Sequence, residues 1–415
     1  MSLKEEEPLA RRLIDIRRHL HANPELSGEE YETTAAIREW LGQEGVRIAD
    51  YPLKTGLVAE IGGSRGGPVV ALRAEIDALP IREETGLSFA SRRPGVMHAC
   101  GHDFHTAALI GAAALLKRRE AELPGTVRLL FQPAEEKAKG SAQVIESGAL
   151  AGVAAVFGLH NKPDLPVGTI GIRSGPIMAA ADGFAVEVDG KGTHAAVPEA
   201  GLDPLITAAH MLTALQSIVS RNVSSLDSAV VSVTRLSAGT SWNVIPEKAI
   251  FDGTIRTFDE GVRAEVQRRF ELVVDGVAAA FGTTARTRWI GGPPPVVNDA
   301  RWARSAAKAA ERAGLSVVEP KPSPAGEDFA LYLKEAPGAF VFLGTNGPRE
   351  WHHPAFDVDE SALPLAAGYL ASVAVEALTE LSEQSKQSEL SAKMTAERTA
   401  GPAPDIAPAE AGARA

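Results

Sequence analysis

The sequence predicts an α/β fold in which a smaller α+β domain is inserted into a larger, discontinuous one. Over 1–179, strand-like apolar runs alternate with helical periodicity, which is typical of a mostly parallel sheet covered by helices on both faces. Over 180–292 the order becomes β-α-β-β-α-β, that of a ferredoxin-like unit. Alternation resumes after the glycine- and proline-rich segment 291–295, so we expect 293–381 to complete the larger domain.

The elements of the larger domain follow from their periodicity. A helix over 8–20 has its leucines on one face, and a second helix ends near Gly45. Ser27, followed by Glu30 three residues later, has the pattern of a capping box and predicts where the second helix begins. The other elements predicted before residue 180 are strands at 57–61, 69–76, 126–131 and 154–159 and helices at 105–123 and 141–147.

The inserted segment and the end of the chain differ in composition. The segment 382–415 is rich in Ala, Glu, Ser, Pro and Gln, and it cannot bury enough surface to offset the entropy lost on ordering. We therefore predict a disordered tail there. The elements predicted within the insertion are strands at 184–188, 229–236, 249–257 and 284–290 and helices at 204–219 and 260–281.

Composition excludes several classes of protein. The 415 residues include 42 Lys and Arg against 53 Asp and Glu, a net charge of −11, which argues against a nucleic-acid or anionic-membrane partner. Cys100 is the one cysteine, so no internal disulfide forms, and we expect a cytoplasmic protein. The N-terminus lacks an apolar signal core, and the longest apolar run, 107–116, falls short of the roughly 20 residues that span a bilayer.

Cys100 and His102 stand two residues apart in a glycine-containing segment before the long helix. Thiolate and imidazole are preferred ligands of zinc and related divalent ions. Alone, a Cys-x-His pair is a weak signal, and the segment also fits a helix N-terminus with surface histidines.

Three further segments carry similar chemistry. Glu135 and Glu136 follow an apolar strand, where one carboxylate can bind a metal and the other can act as general base; two solvated acids are the alternative. His160 also follows a strand, and His352 and His353 lie in a loop before the last helix. A lone histidine at such a place is more often structural or merely exposed.

Taken together, these segments predict one site, because ligands bind outside the carboxyl ends of strands in α/β sheets. Five ligands exceed what one tetrahedral zinc uses, so two metals are the natural count. The candidate ligands are Cys100, His102, Glu136, His160 and one of His352 and His353.

Longer motifs are RRHLHANPEL at 17–26, LRAEIDALP at 72–80, HACGHD at 98–103, PAEE at 133–136, GEDF at 326–329 and HHP at 352–354. These motifs resemble the M20 metallopeptidase family, most closely its amidohydrolase subgroup of hippurate hydrolases, N-acyl-amino-acid amidohydrolases and auxin-conjugate hydrolases. The resemblance covers roughly 9–378. It implies a catalytic domain (1–179 and 293–381) with two divalent metals and an inserted lid (180–292) through which the chain forms a homodimer.

The resemblance also implies residue roles. The two metals would be zinc or manganese, with nickel or cobalt as alternatives. Glu135 would be the general base. His352 is chosen over His353 because the family's ligand lies two residues before the proline. Glu75 stands where an Asp is usual, and Lys-Ala-Lys-Gly at 137–140 replaces a run that is often glycine-rich, which leaves the preferred substrate open. The implied ligands are Cys100, His102, Glu136, His160 and His352.

Three lid residues are also implied by resemblance, on the motifs at 192–198, 241–246 and 253–257. His194 would donate to the oxyanion from the partner subunit, and Asn243 and Arg256 would hold the substrate carboxylate. Each has a structural alternative: an exposed histidine, a turn-forming asparagine and an ion-paired arginine.

The function that these features imply is hydrolysis of the amide bond of N-acyl-L-amino acids with an N-acetyl or aromatic acyl group. Glu135 would take a proton from water and return it to the leaving amine. A dipeptidase or aminopeptidase on the same scaffold is the nearer alternative, and it would need an anchor for a free substrate amine. A non-catalytic binding protein is the other alternative. Glu135 argues against it, because a site that only binds a ligand needs no general base.

Overall fold

The computed structural model describes residues 3–64 and 66–399. Its strands are β1 (Arg47–Ala49), β2 (Leu57–Gly62), β3 (Val69–Glu75), β4 (Thr126–Gln132), β5 (Val153–Lys162), β6 (Thr169–Gly171), β7 (Gly175–Met178), β8 (Ala180–Asp189), β9 (Thr193–His194), β10 (Ala229–Ala238), β11 (Val244–Ile245), β12 (Lys248–Thr257), β13 (Thr284–Ile290), β14 (Val296–Asn298), β15 (Ser316–Val318) and β16 (Gly338–Gly344). Its α-helices are α1 (Leu3–Ala22), α2 (Tyr31–Gln43), α3 (His102–Lys117), α4 (Gly140–Glu146), α5 (Pro204–Ser217), α6 (Glu260–Ala280), α7 (Ala300–Arg312), α8 (Phe329–Glu335) and α9 (Leu363–Thr399).

An eight-stranded sheet forms the centre of the larger domain, in the order β1-β2-β4-β3-β5-β16-β6-β15. The four middle strands, β4, β3, β5 and β16, are mutually parallel, so their carboxyl ends meet at one edge. Both faces are covered, because neighbouring residues of β3 such as Val70 and Ala71 belong to different buried clusters. The predicted mostly parallel α/β sheet is therefore confirmed, with antiparallel pairs at β1–β2, β2–β4 and β6–β16.

A separate antiparallel sheet, in the order β10-β12-β8-β13, forms the smaller domain. Helices α5 and α6 pack on it, and this sheet has its own buried cluster, which includes Phe184, Phe251 and Phe270. Strand β10 is an edge strand of this sheet. The strand order and the two helices are those of the predicted ferredoxin-like α+β unit.

Helices α3 and α9 pack against the large sheet and against each other. By length and composition Glu360–Ser388 could cross a membrane, the one such segment in the described part of the chain, and 56% of its apolar 18-residue window is buried inside the protein. Counting uninterrupted apolar runs missed this segment because Ser372 and Glu376 interrupt it. Leu370 and Val373 lie in the same buried cluster as α3, which accounts for its apolar composition.

The capping-box prediction at Ser27 and Glu30 is wrong, although the helix exists. Glu30 itself stands at the N-cap of α2 without a side-chain capping bond. The N–H groups of Glu32 and Thr33 instead donate to the carboxylate of Glu25, at 3.2 and 2.7 Å. Ser27 donates to Asp77 at 2.6 Å, so a long-range partner replaces the local one that the spacing suggested.

The disordered tail predicted from residue 382 is not what the structure has over 382–399, because α9 continues through Thr399. The Ala, Glu, Lys and Gln of this stretch have high helix propensity, and extending an existing helix avoids the cost of nucleation. The remainder of that prediction, 400–415, lies outside the described residues.

Candidate metal centre

The carboxyl ends of the parallel strands bring the predicted ligands to one edge of the sheet. Glu136 lies in the turn that follows β4, and His160 lies near the end of β5. His352 lies in the loop after β16, while Cys100 and His102 lie at the start of α3. Residues from four segments that are distant in sequence therefore converge because four neighbouring strands run in the same direction.

The five side chains form two overlapping groups. Ligand atoms of Cys100, His102 and His160 lie within 4.8 Å of one another, and so do those of Cys100, Glu136 and His352. The Sγ atom of Cys100 lies 3.4 Å from Nε2 of His160, and Oε1 of Glu136 lies 3.5 Å from Nε2 of His352. Cys100 belongs to both groups, which is the position a ligand shared by two metals requires.

Hydrogen bonds fix the histidine tautomers for metal binding. Nδ1 of His102 lies 2.9 Å from the backbone oxygen of Asp77, and Nδ1 of His160 lies 2.9 Å from that of Asn161. A carbonyl only accepts, so Nδ1 carries a proton in both rings and Nε2 is the nitrogen left to bind a metal. Nε2 of His102 and Oε1 of Glu136 are buried and have no hydrogen-bond partner among the described residues. Atoms that are free in this way can bind a metal.

The charge balance also fits cations. The buried guanidinium of Arg73 lies 2.9 Å from Glu327 and 2.7 Å from Asp328, and it also contacts Glu75. The acidic groups in or directly behind the site outnumber this guanidinium; they are Glu75, Asp77, Glu135, Glu136, Glu327 and Asp328. Divalent cations would offset this excess of negative charge, so the donor set and the charge both fit a two-metal centre.

Burial controls protonation at the site. Burial, and then the charge of Glu136, raise the pKa of Cys100 well above its ordinary value. A coordinated divalent ion reverses this effect, because a thiol binds a metal as thiolate. Burial holds the pKa of His160 well below its ordinary value, so the imidazole is neutral and can act as a ligand.

Glu135 lies beside the ligands, and its surroundings favour the protonated form of its carboxyl group. Burial, and then the carboxyl groups of Glu327 and Asp328, raise its pKa well above the ordinary value. The N–H of Asp328 donates to Oε1 of Glu135 at 3.3 Å. The side-chain ligand atoms of Glu135, His102 and Glu136 lie within 4.8 Å of one another, so the Glu135 carboxyl can reach an atom bound at the centre.

A strained turn presents the two glutamates. Ala134 and Ala138 flank the turn Glu135–Lys137 and have φ of 50° and 49°, the left-handed region that disfavours residues with a Cβ. The N–H of Ala134 donates to Glu30 at 2.9 Å, and the N–H of Glu136 donates to Asp77 at 3.1 Å. Carboxylates from outside the turn therefore hold its backbone in place.

A cavity of about 480 Å³ lies between the two domains and opens onto this centre. The larger domain contributes Cys100, Glu135 and Trp351 to its wall, and the smaller domain contributes Asp182 and Arg256. The Trp351 ring lies 4.5 Å from that of His160, and its Nε1–H donates to the backbone oxygen of Asn161 at 3.1 Å.

The structure separates the three lid candidates. Arg256 lines the cavity, and its Nε donates to the backbone oxygen of Pro324 at 3.1 Å. His194 and Asn243 do not line the cavity of their own chain. His194 is exposed on β9, paired with Val244, and Oδ1 of Asn243 accepts from Ser241 at 2.6 Å.

The two adjacent histidines after β16 are also separated. His352 lines the cavity and has a left-handed φ of 64°, a strained conformation for a non-glycine residue. Nδ1 of His353 accepts from the N–H of Ala355 at 2.9 Å, and the ring is exposed outside the cluster. His352 is therefore the histidine that the structure brings to the ligand group.

Sequence reasoning assigned no supporting role to Asp77 or Glu75, two buried carboxylates behind the ligands. Asp77 accepts from Nδ1 of His102 and from the N–H of Glu136, so it orients two ligands at once. Nδ1 of His105 donates to Glu75 at 2.9 Å, and its Nε2 accepts from the N–H of Asn161 at 2.9 Å. Polar residues within an otherwise apolar buried strand, such as those in 69–77, were the available signal.

Comparison with known proteins agrees with this geometry. A family model described as "Peptidase family M20/M25/M40" matches residues 71–376. The N-acetyl-L-cysteine deacetylase of Bacillus subtilis (strain 168) is 52% identical over 395 residues, covering 94% of this chain and 95% of that protein. The N-acetylcysteine deacetylase of the same strain is 55% identical over 365 residues, covering 88% and 96%.

A solved structure is similar over the same extent. It is a Bacillus subtilis protein described as a dinuclear metal binding peptidase from the M20 family, 51% identical to this chain, with a TM-score of 0.82. It covers 90% of this chain and 99% of its own. The fold and the site define a metal-dependent hydrolase that acts on amide bonds. The chain belongs to peptidase family M20/M25/M40, within its amidohydrolase subgroup.

Proposed function

We propose that the chain hydrolyses N-acyl-L-amino acids, with N-acetyl-L-cysteine as the substrate to test first. The observation that carries this proposal is the position of Glu135, beside the ligand group and in the wall of a cavity that also contains Arg256. The names of the two Bacillus subtilis deacetylases support the choice of acyl group and amino acid.

Two divalent cations, zinc or manganese with nickel or cobalt as alternatives, would polarise the substrate carbonyl and acidify water when held by the five ligands. Glu135 receives the proton of the attacking water. Glu135 then delivers that proton to the leaving amine. The guanidinium of Arg256 attracts the substrate carboxylate into the cavity.

Outside the ligand group and the base, the acids in the wall of this cavity are already paired, which favours an acylated substrate over a dipeptide. Asp182 lines the cavity, but both of its carboxylate oxygens accept from Arg263 at 2.7 Å. Glu327 is bound to Arg73 at 2.9 Å. Because these two acids already pair with arginines, they are poorer anchors for a substrate amine than a free carboxylate would be.

The homodimer and the role of His194 belong to the same proposal. His194 pairs with Val244 in the β9–β11 ladder, the N–H of Ala195 donates to the carbonyl of Asn243 beside it, and both His194 and Asn243 lie away from the cavity of their own chain. Strand β10 is an open edge of the lid sheet, and Val230 and Leu236 on it are exposed. Pairing of two lids at such edges would give His194 a partner's cavity to enter.

The direct test is a substrate screen with metal-reconstituted enzyme. It compares N-acetyl-L-cysteine, an N-benzoyl amino acid and a dipeptide with a free amine at equal concentration. We expect the highest kcat/KM for N-acetyl-L-cysteine and little turnover of the dipeptide. Efficient cleavage of the dipeptide alone would replace the proposal with a dipeptidase.

A further inference from the structure

We propose that Lys137 is a specificity-determining residue that binds the substrate carboxylate together with Arg256. This inference rests on the proposed function and adds a residue to it. Lys137 follows the ligand Glu136 directly, lines the same cavity as Arg256 and is exposed to solvent.

Neither cation is held in an ion pair, and Nη2 of Arg256 has no hydrogen bond among the described residues, whereas Nε and Nη1 donate to Pro324, Thr254 and Ile255. Neither Lys137 nor Arg256 has a carboxylate oxygen within 4.0 Å among the residues that the structure describes, whereas Arg73 and Arg263 at the edges of the site are both paired. Nζ of Lys137 donates to the backbone oxygen of Ser27 at 2.9 Å. An ammonium group has three N–H donors, so two remain for a ligand.

The charge of the cavity wall favours such cations for binding an anion. The wall contains four carboxyl groups, namely Glu135, Glu136, Asp182 and Glu327. Asp182 and Glu327 are each paired with an arginine, and Glu136 belongs to the ligand group. Lys137 and Arg256 are the lysine and arginine of this wall, and they supply the positive charge that attracts the free carboxylate of a substrate.

The turn around Lys137 fixes the position of the Lys137 backbone relative to Glu135 and Glu136. The N–H of Ala138 donates to the carbonyl of Glu135, and the N–H of Gly140 donates to that of Ala134. The backbone of Lys137 is therefore held against the residues that carry the base and a ligand. A carboxylate one carbon from the scissile nitrogen lies within reach of a side chain attached at this position.

The alternative is a solvated lysine whose only task is the contact with Ser27. Lys139 provides the matched control, because it has the same charge, is exposed two residues further on and does not line the cavity. A charge-assisted hydrogen bond in a partly enclosed site typically changes affinity by about 10- to 100-fold, so the two interpretations differ measurably.

The experiment measures kcat/KM for N-acetyl-L-cysteine and for its neutral carboxamide, with metal content determined for each enzyme. We expect Lys137→Met to lower kcat/KM for the acid by about 10-fold or more, mainly through KM, and to leave the amide unaffected. Lys139→Met should match the wild type, and Lys137→Arg should restore most of the preference for the acid. Equal losses for acid and amide, or no loss, would overturn the inference.

A separate arm distinguishes this inference from the proposed function. If the wild-type enzyme hydrolyses neither compound, the proposed function fails, and the role of Lys137 is decided by calorimetric binding of N-acetyl-L-cysteine at equal metal content. A Kd that rises about 10-fold in Lys137→Met and not in Lys139→Met supports the carboxylate contact. An unchanged Kd contradicts it.

Discussion

The Sγ atom of Cys100 lies 3.4 Å from Nε2 of His160, although the two residues are 60 positions apart in the sequence. Nδ1 of His160 is bonded to the backbone oxygen of Asn161, so Nε2 is the atom available to a metal. Thiolate and imidazole at this separation can bind one ion, and Cys100 also belongs to the group that contains Glu136 and His352. Removal of Cys100 should therefore affect both metals.

Cys100→Ser should lower metal content by at least one ion per chain, and a chelator should abolish wild-type activity reversibly. The serine hydroxyl is a far weaker ligand than thiolate for zinc-like ions. Elemental analysis of the purified protein is the measurement. His353→Ala is the control, since His353 lies outside the ligand group, and it should keep the full metal content. Unchanged metal in Cys100→Ser would make Cys100 an ordinary buried residue.

Asp77→Asn should weaken metal binding by about 10- to 100-fold without removing a ligand. Asp77 accepts from His102, from Ser27 and from the N–H of Glu136, and an amide group would place its own donor against one of them. Competition with a chromophoric chelator measures the affinity. A variant with wild-type affinity would show that the orientation of His102 does not depend on this carboxylate.

Local sequence patterns predicted the strands and the helices, and they anticipated that the candidate ligands would converge, but they did not predict the supporting contacts. The ligands follow strands whose parallel order the alternation implied, so convergence could be anticipated. The contacts of Asp77 with Ser27 and of Arg263 with Asp182 join residues 50 and 81 positions apart, and no local spacing encodes them. The capping-box error at Ser27 has this cause. The domain boundaries, the metal identity and the cytoplasmic location stay predictions.

His21 should make folding stability depend on pH above neutrality. Its ring donates to Asp103 at 2.9 Å and to Glu83 at 3.2 Å. Burial alone would lower the pKa of His21, but these two bonds raise it from 6.5 to about 9. A raised pKa contributes stability that is complete below pH 6.5 and is lost as pH rises through 9. The free energy of unfolding of the wild type, relative to His21→Gln, should fall by roughly 3 kcal/mol over this window. A difference that stays constant or grows with pH would contradict this account.

Subunit mixing tests whether His194 acts in the partner's site. His194→Ala and Glu135→Gln proteins should each be nearly inactive. After subunit exchange, a mixed dimer has one site with an intact Glu135 and an intact His194 from the other chain, so activity should return to at most about a quarter of wild type if the subunits reassort at random. An inactive mixture, with exchange demonstrated by tagged subunits, would mean that His194 acts within its own chain or not at all.

The most direct test of the central claim is the turnover of N-acetyl-L-cysteine by Glu135→Gln with its metal content measured on the same sample. The amide is nearly isosteric with the carboxyl but cannot accept the proton of the attacking water. We expect kcat to fall by about 100- to 10,000-fold while both metals remain bound. Near-normal turnover with full metal content would contradict the role of Glu135 as general base, and loss of metal would identify Glu135 as a ligand instead.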